Sequence, residues 1–214
     1  MFKSTLLSFL LITVGLSAQN TFSKRVKSES YYIEVRTDGI DNLVIEESEN
    51  DQLEMVIKDK NGLGVIHNLS CSENKCTIRI KTELKIEYPM TDKINMFHQQ
   101  PPSNVTAVVK IPKNREVTVF GKEIDIQTQG YKGVLFMFID KGNIRIAELK
   151  GITEIELASG NVYATIKKNY LDIKTRKGTI YLNDSIQKSP LKRKTKKSNK
   201  LSVESINANV LLTE

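Results

Sequence analysis

Three phrases of the chain nearly repeat one another: Lys-Gly-Asn-Ile-Arg-Ile from Lys141, Ser-Gly-Asn-Val-Tyr-Ala from Ser159 and Lys-Gly-Thr-Ile-Tyr-Leu from Lys177. Their glycines, Gly142, Gly160 and Gly178, stand 18 residues apart. With each glycine as origin, Met137, Ile155 and Ile173 align on one side, and Ile144, Val162 and Ile180 on the other. Ile146, Ala164 and Leu182 follow two places further on. Period-two alternation on both sides of a glycine describes two short strands meeting at a tight corner. Glycine suits such a corner because it accepts positive φ and lets neighbouring backbones approach closely. One unit of this size cannot bury its apolar face alone, so the repeat points to stacked coils.

The register extends in both directions. Towards the C-terminus Leu201 and Val203 precede the corner, Val210 and Leu212 follow it, and Ala208 takes the glycine's place. The step from Gly178 to Ala208 is 30 residues instead of 18, and the excess falls in "SPLKRKTKKSNK". Upstream, Val117 and Val119 precede a corner and Ile124 and Ile126 follow it, with Gly121 one place early. The pattern predicts an all-β chain: a single-stranded β-solenoid of about 18 residues per coil over residues 113–214, preceded by irregular β coils. Stacked in chain order, Glu156, Lys174 and Glu204 would lie side by side with alternating sign. A β-sandwich, which needs no integral period, is the alternative. A hexapeptide left-handed β-helix is excluded, because the step from Ile144 to Lys150 breaks its aliphatic spacing.

The rest of the chain reads as follows. Lys3 and the apolar run Thr5–Leu16, with small residues at Ser17 and Ala18, describe a cleaved signal peptide over residues 1–18, too short to span a bilayer comfortably. No transmembrane segment is expected after cleavage, so the mature protein is exported: periplasmic, surface-held or secreted. Residues 19–112 form an N-terminal β region with strands in "YYIEVRT", "LVIEES", "LEMVIKD", "TIRIKT", "LKIEY" and "VTAVVKIP". The proline-containing stretch 97–105 reads as a loop. Cys71 and Cys76, the chain's two cysteines, flank a four-residue polar turn, and export permits a disulfide across it.

The residues "VVKIPKNREVTVFGKEIDIQ", with the rungs "IELASGNVYA" and "IKTRKGTIYL", resemble the "putative adhesin" β-strand-repeat families, including the head-GIN-domain type found in envelope proteins of Bacteroidetes. "GIDNLVIEESENDQLEMVIKD" is similar to the first coils of that type. The resemblance covers about residues 30–214 apart from the basic insertion, and departs from the pattern at the cysteine hairpin and at Ala208. It implies a β-solenoid at or outside the cell surface with a role in adhesion, and it carries no catalytic motif.

Motifs for chemistry are sparse. His67 and His98 have no Cys or Asp at metal-ligand spacing, so they read as turn or surface residues and no metal or cofactor is expected. The polysaccharide-cleaving β-helices set the enzyme alternative. For that reading Glu154 and Asp172, on successive rungs, are the pair to watch. Arg145, Tyr163, Tyr181 and Leu211 occupy one outward position, and Arg145, Tyr163 and Tyr181 form a candidate binding strip. The net charge of +7 is concentrated in the insertion 188–200, a solvated basic loop in which Lys192, Arg193, Lys194, Lys196 and Lys197 are candidates for gripping anionic polymers. The partners this implies are surface glycans or anionic envelope polymers, not a specific nucleic acid, because no aromatics are interleaved for base stacking. The expected function is an exported, non-catalytic binding module. A glycan-processing enzyme and a purely structural envelope protein are the alternatives.

Overall fold

The apolar alternation is realised almost entirely as β-strand. The computed structural model describes residues 20–60, 62, 64–82, 104–167, 169–196 and 198–214, and among them there is no helix. The expected signal peptide, the strand expected at 84–88 and most of the proline loop lie outside the described residues, as do His98 and Lys197. Among the described residues, none forms a helix long and apolar enough to cross a membrane.

Among the described residues, sixteen strands form one mixed sheet. In chain order they are β1 (Asn20–Lys27), β2 (Tyr32–Asp38), β3 (Asn42–Glu47), β4 (Gln52–Asp59), β5 (Val65–Cys71), β6 (Lys75–Thr82), β7 (Val105–Ile111) and β8 (Glu116–Glu123). There follow β9 (Asp125–Gln129), β10 (Val134–Ile146), β11 (Ile152–Thr165), β12 (Tyr170–Thr175), β13 (Ile180–Leu182), β14 (Ser185–Gln187), β15 (Leu191–Arg193) and β16 (Lys200–Thr213). β10, β11 and β16 run through the corner, so the sheet consists of two ladders sharing these three strands. The first ladder runs β5–β6–β2–β8–β10–β11–β16–β12–β15. The second runs β1–β4–β7–β3–β9–β10–β11–β16–β13–β14. Pairing is parallel through the middle of both ladders and antiparallel at their ends. Inward residues of both, such as Met137, Ile139, Ile144 and Ile146 on β10, enter one buried core.

The 18-residue register holds where it was read most directly. Gly142 pairs with Gly160, Met137 with Ile155 and Ile144 with Val162. Val117 and Val119 align with Leu135 and Met137, and Ile126 aligns with Ile144.

The order of the rungs differs from the expected succession. β16 lies between β11 and β12/β13, so Gly160 is followed in space by Ala208 and only then by Gly178. The other end is interleaved in the same sense, with β2/β3 between β6/β7 and β8/β9. The 30-residue step is therefore an excursion. After β13 the chain turns outward, lays β14 and β15 along the exposed edges, and returns one rung inside. The alternating charge row is corrected accordingly: Glu156 neighbours Glu204, and Lys174 lies beyond it, with its Nζ 3.1 Å from Glu204.

Two columns hold the register. At the corner a Cβ on Gly142 would meet the carbonyl oxygen of Ile124 at 1.9 Å, one on Gly160 that of Gly142 at 1.8 Å, and one on Gly178 that of Ala208 at 1.8 Å. Gly142 and Gly160 also have φ of 152° and 134°, a region L-residues avoid. Ala208 is fully buried in ordinary backbone geometry. One residue further on stands an amide ladder. Asn143 Nδ2 donates to Asp125 at 3.0 Å, Asn161 Nδ2 to Asn143 at 2.8 Å and Asn209 Nδ2 to Asn161 at 3.3 Å, and the Thr179 backbone N–H donates to Asn209 at 3.0 Å. Each bond contributes about 1 kcal/mol net, and a slip of one rung would break them all.

Both ends of the stack are closed. At one, Phe22 of β1 packs on His67 of β5 with ring centroids 3.6 Å apart. The Cys71–Cys76 disulfide joins directly paired residues of the β5–β6 hairpin. At the other, Leu191 and Arg193 of β15 pair with the buried Ile173 and Leu171.

Gly160→Ala is expected to cost about 3 kcal/mol or more, from backbone strain and overpacking together, whereas Ala208→Gly costs about 1 kcal/mol or less. Urea denaturation midpoints at constant m check both. Replacing both cysteines with serine should remove about 2 kcal/mol, the value for so short a loop, read in the same assay under oxidising conditions.

Candidate binding groove

Alternation along the first ladder turns every second side chain to solvent, and the pairing register fixes which of them become neighbours. One outward row reads Arg79, Arg36, Phe120, Phe138, Glu156, Glu204 across six adjacent strands. With the residues one or two places further on, it lines an open groove of about 870 Å³ beside the corner. Its floor is apolar. The Phe120 and Phe138 rings stack with centroids 5.3 Å apart and planes 15° from parallel. The Arg36 guanidinium lies over Phe120, 5.0 Å from its centroid, an attraction of about 0.5–1 kcal/mol at an exposed site. Ile206, half exposed, forms part of the wall.

Arg36 is held in place from below. Its Nε donates to Glu34, whose other oxygen accepts from Lys75 at 2.6 Å. Hydrogen bonds from Arg36 and then Lys75 hold the Glu34 carboxyl below the usual glutamate range, against a smaller opposing effect of burial. At the neighbouring corner, Tyr131 is buried with its hydroxyl on the backbone of Arg115, and desolvation pushes its phenol well above the ordinary tyrosine value. It anchors the turn into β10 and does not face the groove.

The anticipated strip lies on the second ladder in altered order. Arg145 pairs with Tyr163, but Leu211 separates Tyr163 from Tyr181, and Ile186 follows at the edge. The Arg145 guanidinium covers the Tyr163 ring at 4.8 Å. Arg145, Tyr163, Leu211 and Tyr181 line a cleft of about 350 Å³.

The insertion is not wholly a loop. Lys192 and Arg193 lie in β15, and Lys192 Nζ is 3.4 Å from Asp172. Arg193 faces inward, donating to the carbonyls of Asn169 at 3.2 Å and Lys167 at 2.7 Å and to the Glu214 carboxylate. That guanidinium closes the end of the stack and leaves little to offer a partner. Lys194 and Lys196 are exposed.

Glu154 and Asp172 are not brought together. Ser202 lies between them, Glu154 bonds Lys200 at 2.7 Å, and Asp172 has Lys192. Among the described residues no three His, Cys, Asp or Glu side chains converge as metal ligands.

Sequence reasoning missed the Phe120–Phe138 pair although its signal was present. The two are 18 residues apart, one period of the same repeat, on the outward position. Arg36 and Arg79 carried no such signal, since no period links them to the later rungs.

The fold has a solved counterpart. A "putative cell adhesion protein" from Clostridium sporogenes superposes with a TM-score of 0.61 at 11% identity, over 92% of this chain and 100% of its own. A "putative adhesin" from Bacteroides fragilis superposes with a TM-score of 0.38 at 7% identity, over 91% and 97% of the two chains. Another from Parabacteroides distasonis gives 0.26 at 11%, over 92% and 98%. The first shares the fold; the other two superpose too loosely to argue from. No family model and no curated protein matches the chain.

The lowered Glu34 carboxyl sets a pH dependence. A group whose folded pKa is depressed stabilises above its unfolded value, and the contribution is lost as pH falls through the folded one. Glu34→Gln should therefore lower Tm at neutral pH, through a stability loss of under about 1 kcal/mol because both of its cationic partners are half exposed. The difference from wild type should vanish once acid has protonated Glu34, in matched thermal melts at neutral and strongly acidic pH.

Proposed function

We propose that this protein is an exported, non-catalytic binding module of the cell envelope, an adhesin-like protein built on a short β-solenoid whose rungs are interleaved at both ends. The observation that carries the reading is the groove over Phe120 and Phe138. Phe138 and Ile206, both exposed, stand with the stacked Phe120 in a groove among charged residues, an arrangement that marks interaction sites. The fold shared with a Clostridium sporogenes "putative cell adhesion protein" agrees with it. The apolar run Thr5–Leu16 that follows Lys3 supports export. The altered environment of Glu154 and Asp172, each beside a lysine and separated by a rung, weighs against the enzyme reading.

The test is retention of the labelled mature protein on isolated cell envelopes, with localisation of the native protein by fractionation. Phe120→Ser with Phe138→Ser is expected to reduce retention at least tenfold while lowering stability only by about the 0.5–1.5 kcal/mol of an aromatic pair plus lost burial. Tyr163→Ser with Tyr181→Ser, on the other ladder, should reduce it less. Retention equal to wild type in the phenylalanine variant would sink the reading.

A further inference from the structure

The charges around the groove are sorted by rung. At one end β6, β2 and the end of β8 contribute Arg79, Lys81, Arg36 and Lys122 against a single acid, Asp38. At the other, β10, β11 and β16 contribute Asp140, Glu156 and Glu204 and no base. Arg176 stands beyond them, just past β12. The stacked phenylalanines lie between the two groups. Among the described residues Arg79, Lys81, Asp140 and Glu156 form no ion pair, so these charges are available to a ligand.

We infer that the groove binds an extended peptide segment with carboxylates at one end, apolar side chains in the middle and ammonium or guanidinium groups at the other. This deepens the binding-module reading and rests on it. The dimensions match. Five strand-to-strand steps of about 4.8 Å separate β6 from β16, roughly 24 Å, which an extended segment of about seven residues spans. Opposite charges at the two ends fix register and disfavour wrong partners by like-charge contact.

Other occupants fit less well. A polyanion lying along the groove would meet Asp140, Glu156 and Glu204 over half its length. A sugar ring stacks on open aromatic faces, and Phe120 has none, with Arg36 on one side and Phe138 on the other; Phe138 alone offers a single face, beside Glu156. A second copy related by a two-fold axis would match the charges, yet two hollows placed mouth to mouth would leave a void that close-packed interfaces avoid.

The experiment measures fluorescence anisotropy of labelled seven-residue synthetic peptides with three apolar central residues, at low ionic strength. One carries two glutamates at one end and two lysines at the other; two controls carry glutamates only or lysines only at both ends. The mixed peptide is expected to bind at least tenfold more tightly than either control. Arg79→Glu with Lys81→Glu, which leaves the Arg36–Glu34–Lys75 group intact, should shift the preference to the all-lysine peptide. Asp140→Lys with Glu156→Lys, which leaves the Lys174–Glu204 pair intact, should shift it to the all-glutamate peptide. Equal affinities for the three peptides, or no binding of any, would overturn the inference. Envelope retention of the same preparations tells the two failures apart: retained, only the peptide inference falls; lost, the binding reading falls with it. Sedimentation showing a dimer that the Arg79→Glu, Lys81→Glu variant dissolves would make the occupant a second copy, and would equally overturn it.

Discussion

Contact between backbones at the corner is the constraint on which the structure depends. At Gly142, Gly160 and Gly178 a neighbouring rung's carbonyl oxygen occupies the space a side chain would need, so each of these rungs seats its neighbour only where it presents no side chain of its own. That requirement sets the 18-residue register, and the register decides everything outward of it. The amide ladder from Asp125 to Thr179 follows, because only one alignment places Asn143, Asn161 and Asn209 in line. The Arg36–Phe120–Phe138 stack follows for the same reason. Ala208 shows how local the demand is: in an ordinary backbone conformation its methyl group is buried without displacing a neighbour, while its own carbonyl is the one that excludes a side chain at Gly178.

A stack of parallel strands has two raw edges, and unpaired edges invite further pairing with other chains. Here each end is finished by antiparallel strands, β1, β4 and β5 at one and β14 and β15 at the other; at the second the chain then returns one rung inward as β16, whereas at the first the interleaved β2/β3 is laid before β4 and β5. At the C-terminal end the finishing strands are only three residues long, β15 carries Lys192 and Arg193, and Pro190 stands between the two strands, features that make an edge a poor template. Lys192 and Arg193 of the basic insertion therefore have a structural role that does not require a ligand. Returning inward also keeps β16, the last strand, from being an edge: it is paired on both sides along most of its length.

The class of the fold and the register of the three central rungs were legible because alternation and glycine spacing are local signals. The strands β2, β3, β4, β6 and β7 were readable for the same reason. The order of the rungs was not. An inward return and a simple succession satisfy the same apolar pattern at Leu201, Val203, Val210 and Leu212, and only the pairing partners distinguish them. β1 escaped notice because Lys24 breaks the alternation between Phe22 and Val26, of which Val26 packs against the core. The asparagine ladder left a visible trace in "GN", "GN" and "AN" at 142, 160 and 208. Its meaning emerges only once rungs are stacked, since one Asn by itself reads as a turn residue.

The interleaving also explains why the groove is charged as it is. In a stack built in chain order Lys174 would lie beside Glu156 and neutralise it, as the alternating row anticipated. Inserting β16 puts Glu204 there instead, so two carboxylates adjoin the phenylalanine pair before Lys174 is reached. At the opposite end, inserting β2 between β6 and β8 sets Arg36 beside Arg79. Both like-charged neighbours cost some stability, since like charges directly opposite on adjacent strands repel. Neither is demanded by the core, whose inward residues are indifferent to what stands on the other face. The chain thus carries a separation of charge across an apolar floor that its packing does not require, and the two strands responsible are β2 and β16, the interleaved strands at its two ends.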